Sequence, residues 1–257
     1  MEQLLTGLGM QLGYVLWIPL LAYLLLSTVI MGNVATYLRT RKGWRDGYTR
    51  KFNHFGHAVC AAPTIGFLPE PHLVPTVVVA TVGVAVMYGW SALTRLPVIR
   101  GIVKGSLRDR DKPHGRFFFF LPLLTGNLAM VLCFVLFPAE AARAAILAVA
   151  VGDGLAEPFG LRFGKKTTYK VKDLVFRRWN TKSIHGNAVV FLAAVGVSTW
   201  TLWFAFASAP LLVIFAVLVF AAAVSLVEAL SPRGLDNMNI FIVGSLLMTG
   251  LIAWLPH

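Results

Sequence analysis

The stretch from Glu140 to Lys166, EAARAAILAVAVGDGLAEPFGLRFGKK, decides how this chain is read. Its first part is apolar over a length that suits a membrane helix, and its second part runs out into glycines and cations. A helix needs about 20 mostly apolar residues to cross a bilayer, and several further segments of the chain qualify. Asp153 and Glu157 stand one helical turn apart near the end of this segment, so they share a helix face. Gly160, Gly164, Lys165 and Lys166 follow at once. Acids hold hard metal ions, glycines admit a ligand close to the backbone, and cations neutralise phosphates. The combination points to phosphate chemistry at a membrane surface.

The composition agrees. With 57% hydrophobic and 13% charged residues and a mean hydropathy of +0.73, the chain is far from a soluble domain, in which about 25% of residues are charged. Uninterrupted apolar runs exclude a β-barrel, whose strands alternate apolar and polar residues. The expected fold is all-α, a polytopic transmembrane helical bundle forming a single domain over residues 1–257. Cys60 and Cys133 both lie in apolar surroundings and read as small core residues. No basic n-region or A-x-A site precedes the first apolar run, which is expected to be a retained span and not a signal peptide.

About eight spans are expected, near 10–32, 53–69, 73–93, 116–137, 140–157, 186–207, 210–230 and 238–255. The second is short and carries polar residues. The loops after spans one, three and five carry six, seven (with Arg116 at the edge of span four) and eight Lys and Arg, and Arg233 follows span seven. Only Arg143 lies elsewhere, so 22 of 23 cations fall on one side, which the positive-inside rule makes cytoplasmic. The cytoplasmic loops are then about 33–52, 94–115, 158–185 and 231–237, with both termini on the opposite side. This placement assigns the net charge of +12 to lipid headgroups and phosphate ligands, with no nucleic-acid partner. The three long loops mix cations with Gly, Trp and acids and are expected to be structured.

Acids are scarce, so their positions carry weight. Glu228 falls in the last turn of an apolar span, where a charge costs roughly 2.5–3.5 kcal/mol on insertion scales unless it finds a partner or a wet cavity. Arg233 is one candidate partner. Beside Glu228 or Asp236, Asp153 and Glu157 form an oxygen-rich site suited to Mg²⁺, which needs only one or two carboxylates when phosphates complete its shell. The Gly160-x-x-x-Gly164-Lys165-Lys166 run lacks the Walker spacing, and its glycines equally suit close helix packing. Individually, Lys165, Lys166, Lys170 and Lys182 are ordinary positive-inside residues. His54 and His57 follow Arg50 and Lys51; without a third metal ligand, that cluster suits phosphate contact or a proton relay. His114 and His185 stand beside glycines in the loops, without an assigned role.

Taken in order, these residues resemble a known family. Arg50-Lys51-x-x-His54, Asp153-x-x-Ala156-x-x-x-Gly160-x-x-Phe163-Gly164-Lys165, Lys182-Ser183-x-x-Gly186, and Val227-Glu228-Ala-Leu followed by Asp236-Asn237 look like the motifs of the CTP-dependent polyprenol kinases. That family includes dolichol, phytol and farnesol kinases, and the closing pair looks most like the phytol and farnesol branch. One position departs: where many relatives read K-[ST]-x-E-G, this chain has His185. Phosphatidate cytidylyltransferases share a similar core, but their D-x-x-x-R-x-D signature is absent.

The resemblance implies an integral membrane enzyme that transfers a phosphoryl group from CTP to an isoprenoid alcohol, with Mg²⁺ as cofactor. It implies Asp153 and Asp236 for Mg²⁺ and the nucleotide phosphates, with Glu157 in support. Lys165, Lys166 and Lys182 would neutralise the triphosphate; Gly160, Gly164, Ser183, Gly186 and Asn237 would shape and orient it. Glu228 would accept the alcohol's proton, and Arg50, Lys51 and His54 would close the site from the other side. The alternatives are a CDP-lipid-forming cytidylyltransferase and a non-enzymatic lipid carrier.

Overall fold

Alanine and glycine dominate the middle of the Glu140–Lys166 stretch, and that choice sets the architecture. The structure, a computed structural model, describes residues 2–67, 70–172, 179–203, 206, 208–232 and 234–256; the side chains of residues 2–18, 20–21, 63–64, 66–67, 70–71 and 110 lie outside that description. In chain order the elements are α1 (Glu2–Arg41), α2 (Asp46–Phe67), α3 (Glu70–Leu93), α4 (Pro97–Lys104), α5 (Gly115–Leu136), α6 (Ala139–Phe163), β1 (Thr168–Lys172), β2 (Trp179–Ser183), α7 (Ile184–Trp203), α8 (Pro210–Leu230) and α9 (Asp236–Trp254).

Helix α6 is the axis of the bundle. Ala141, Ala142, Ala144, Ala145 and Ala148 are fully buried, and α2, α7 and α9 pack around them. Small side chains let helix backbones approach closely, which is how helices associate where no water is left to expel. A Cβ built on Gly154 would stand 2.7 Å from the Phe55 ring of α2. The outward surface is the reverse: Leu128, Leu132, Val135, Leu211, Ile214, Phe215 and Leu218 are exposed. Such a band suits acyl chains and would be untenable in water.

Six helices among the described residues are long and apolar enough to cross a bilayer: residues 72–93 of α3, and α5, α6, α7, α8 and α9. The chain is a multi-pass membrane protein with a helical bundle, but the expected eight spans are not borne out. Helix α2 opens with Asp46, Arg50, Lys51, Asn53, His54 and His57, whose polarity takes it out of the apolar class. The first part of the expected first span, residues 10–18, 20 and 21 of 10–32, falls where side chains are not described.

The helical bundle carries one small β element. Within the expected loop 158–185, α6 continues to Phe163, and β1 and β2 form an antiparallel hairpin in the register Thr168↔Ser183 to Lys172↔Trp179. Residues 173–178 between them lie outside the described residues. The loop 33–52 is almost wholly helix, and α9 begins at Asp236 inside the expected loop 231–237. The loop 94–115 is structured, as expected. It contains α4, anchored by the Thr36 hydroxyl donating to the Gly101 carbonyl at 2.6 Å and the Thr49 hydroxyl to that of Gly105 at 2.8 Å. Asp46 accepts from the Asp109 N–H at 2.8 Å, while Arg39 pairs with Asp109 at 2.8 Å. These bonds fix the segment that presents Arg108.

Candidate functional site

The C-terminal end of α6 meets the start of α2, the end of α8, the start of α9 and the hairpin at one end of the bundle. There they enclose a cleft of about 210 Å³. Four acids, Asp153, Glu157, Glu228 and Asp236, line it together with four cations, Arg50, Lys51, Arg108 and Lys182. Positions separated by up to 186 residues along the chain therefore share one wall.

The charges are paired. Lys51 Nζ lies 2.5 Å from Asp153 Oδ1, and His54 Nε2 lies 3.5 Å from Asp153 Oδ2. Glu157, one turn further along α6, takes the Arg108 guanidinium and stands 3.8 Å from Arg50. Lys182 donates to Glu228 Oε1 at 2.9 Å and to the Glu228 carbonyl. Lys51, Asp153, Arg108 and Glu228 are all buried, and a buried ion survives only with such a partner. Asp236 accepts a hydrogen bond from the Asn237 N–H at 3.1 Å and forms no ion pair among the described residues. Arg233, the partner considered for Glu228 from sequence, lies outside the described residues; Lys182 fills that role.

Glycines seat the hairpin. A Cβ on Gly160 would come 2.6 Å from Ser183 Oγ, and one on Gly164 2.6 Å from Ser183 Cβ. Gly186 sits where a Cβ would be 3.0 Å from the Ala156 carbonyl oxygen, and its N–H donates to Ser183 Oγ at 3.1 Å. Gly160 and Gly164 thus bring β2 against α6, the packing use of small residues and not a phosphate loop. The alternation of β1 turns Tyr169 inward, where its hydroxyl donates to Asn187 Oδ1 at 2.9 Å. Burial, aided by the Glu228 charge, pushes the Tyr169 phenol up to about 12.

No family model, curated protein or solved structure matches this chain. The functional reading therefore rests on the cleft.

The cleft lining includes Arg50, Lys51, Asp153, Glu157, Gly160, Lys182, Ser183, Gly186, Glu228 and Asp236. Lys165 and Lys166 are exposed and do not line it. His185 is also exposed, bonded through Nδ1 to the Thr167 hydroxyl at 2.7 Å. Asn237 faces an adjoining crevice, lined also by Arg50, Lys51, His54, Asp153 and Asp236. Arg108, Asn180, Thr181 and Asn187 line the cleft without having been singled out. The alternation Thr168-Tyr-Lys-Val-Lys is a strand signal that finds the hairpin, whereas nothing local distinguishes Arg108 from the other cations of its loop.

Among the described residues, no three His, Cys, Asp or Glu side chains group closely enough to hold a metal unaided. Mg²⁺ asks for less, since it keeps waters and uses substrate phosphates. Asp153 and Glu157, on one face of α6 at the cleft wall, fit that partial requirement.

Proposed function

We propose that this protein is a lipid kinase that transfers the γ-phosphoryl group of CTP to an isoprenoid alcohol at the cytoplasmic face of a membrane. The observation that carries the proposal is the convergence of Lys51, Asp153, Lys182, Glu228 and Asp236 on one cleft at one end of an apolar bundle. The cytoplasmic assignment of that end rests on its cations.

The ion pairs suit a triphosphate. Its oxygens compete for Lys51, Arg50 and Arg108, and each cation drawn to phosphate frees its carboxylate, Asp153 or Glu157. Asp153 and Glu157 would then hold Mg²⁺, which when bound neutralises charge on the β- and γ-phosphates. Phosphoryl transfer needs mainly positioning and charge neutralisation. The alcohol lies in the bilayer with its hydroxyl at headgroup level, and the nucleotide comes from water, so a cleft at a helix end lets them meet. The hydroxyl oxygen bonds to the γ-phosphorus, the bond from that phosphorus to the β–γ bridging oxygen breaks, and CDP leaves with the electron pair. The hydroxyl proton passes to Asp236, which lines both cleft and crevice and forms no salt bridge among the described residues. Glu228, first considered for this step, instead holds Lys182 in place for the phosphates.

The test is mass analysis of products from purified protein, Mg²⁺ and a panel of alcohols and nucleotides. A lipid monophosphate formed with CTP supports the reading. A CDP-lipid formed from a lipid phosphate would replace it with cytidylyl transfer, and no nucleotide turnover would leave a carrier.

A further inference from the structure

Behind the cleft, the crevice that shares Arg50, Lys51, Asp153 and Asp236 with it has a volume of about 180 Å³. It adjoins an apolar pocket of about 140 Å³, set among α2, α3, α5, α6 and α9, where Ala61, Ile65, Val77, Ala80 and Ile146 form part of the wall. A polar mouth thus leads into a hydrocarbon-like interior. Four polar side chains stand at the passage and line both spaces: His54 and His57 on α2, Asn127 on α5 and Asn237 on α9. The two asparagines belong to packed neighbours, since a Cβ on Gly126 would lie 3.4 Å from Asn237 Cβ.

Both amides carry an unmet demand. Asn127 Nδ2 and Asn237 Oδ1 are buried and have no hydrogen-bond partner among the described residues. A buried donor or acceptor left unpaired is costly, and a third atom at the passage, His54 Nε2, also lacks a hydrogen bond among the described residues, though it stands 3.5 Å from Asp153 Oδ2. The hydroxyls of Thr76 and Thr81, deeper on α3, are also unpaired, but a threonine can turn its hydroxyl to its own helix's carbonyl four residues back. Thr125 does so, donating to the Leu121 carbonyl at 2.8 Å. An asparagine amide can do the same, as Asn33 Nδ2 does to the Val29 carbonyl at 2.8 Å, but Asn127 Nδ2 makes no such bond among the described residues.

We propose that Asn127 and Asn237 form the recognition site for the acceptor's hydroxyl, with the tail of the lipid in the apolar pocket behind them. One hydroxyl accepts from Asn127 Nδ2 and donates to Asn237 Oδ1, satisfying both atoms; turning either amide over exchanges donor and acceptor, and a hydroxyl still answers both. Asn237 adjoins Asp236 in sequence, so the bound oxygen sits beside the acid assigned its proton. A methyl ether or a hydrocarbon tail lacks the donor. A site built to hydrogen-bond a hydroxyl rejects the analogue without one, because its own polar groups stay unpaired. This inference rests on the kinase reading for its acceptor but is tested by binding alone.

The experiment measures binding of geranylgeraniol and of the corresponding hydrocarbon to the full chain in lipid nanodiscs, without nucleotide. The wild-type protein is expected to favour the alcohol by about tenfold or more, the scale of one to two hydrogen bonds in a dry site. Asn127→Leu, near in shape, is expected to bring that preference within about twofold while hydrocarbon affinity holds. Asn237→Leu carries the same readout should Asn127→Leu fail to fold. Filling the pocket with Ala80→Phe is expected to weaken both ligands together. Equal binding of alcohol and hydrocarbon by the wild type, or an undiminished preference in the folded leucine variants, overturns the proposal. An alcohol preference without any CTP turnover would sink the kinase reading and leave this site standing. Lipid phosphorylation with an undiminished preference in Asn127→Leu would do the reverse.

Discussion

Lys51 of α2 and Asp153 of α6 are joined at 2.5 Å across 102 positions of sequence, with both side chains almost wholly buried. The pair ties the polar start of one helix to the cleft end of another. Removing one partner leaves an uncompensated charge, at about 3–5 kcal/mol, whereas replacing both with apolar residues is often neutral. Asp153→Asn is therefore expected to lower both thermal stability and lipid phosphorylation, the latter by at least about 100-fold if an acid needed for charge neutralisation is lost. Lys51→Met combined with Asp153→Leu is expected to restore the melting temperature but not the activity. Recovered activity in the double variant would show that the pair serves only the fold.

Arg108 separates a reading based on the cleft from one based on sequence runs. It lines the cleft and holds Glu157, while Lys165 and Lys166 are exposed outside it. Arg108→Gln is expected to raise the KM for CTP by about tenfold or more, as expected for one lost charge-assisted bond. Lys165→Ala and Lys166→Ala are expected to change it less than about twofold, since surface charges are worth little. Steady-state kinetics at fixed lipid concentration distinguishes them.

The seat of the hairpin makes a stability prediction. Gly160→Ala puts a methyl 2.6 Å from Ser183 Oγ, and Gly164→Ala puts one 2.6 Å from Ser183 Cβ and 2.7 Å from the Gly160 carbonyl oxygen. Each is expected to cost about 1–3 kcal/mol by overpacking. Adding Ser183→Ala removes the atom that Gly160→Ala meets, so it is expected to recover part of that loss. The same addition leaves the Gly164→Ala clash in place. Melting temperatures of the four variants in one detergent decide this.

Much of this site can be traced in the sequence, for identifiable reasons. Acids in an apolar chain are costly, so Asp153, Glu228 and Asp236 stood out, and they meet in one cleft. Cations in loops are cheap, so nothing local marks Arg108, and only tertiary packing separates it from Lys165 and Lys166. The hairpin was masked because its alternating residues sit inside a basic segment that reads as a loop. Asn237 adjoins an acid in sequence and was grouped with it, yet the helical rotation of about 100° per residue carries it to the crevice side. The span count failed at α2, where one face serves the cleft and cannot also be apolar.

Tyr169 gives the site an alkaline limit. Burial and the Glu228 charge raise its phenol from 10.0 to about 12, so the fold favours the protonated form. Its contribution is fully present below pH 10, the unfolded value, and is lost as pH rises towards about 12. The Tyr169→Phe variant is expected to lose less stability over that window than the wild type. Equal alkaline slopes for the two proteins in thermal melts would contradict this.

The most direct test of the central claim follows the label of CTP carrying ³²P at either the γ- or the α-phosphate, incubated with purified protein, Mg²⁺ and farnesol or geranylgeraniol. Phosphoryl transfer to the alcohol places the γ-label, and not the α-label, in the lipid phase, and Asp153→Asn abolishes it. Appearance of the α-label in lipid, or no label there with any alcohol tested, would contradict the account.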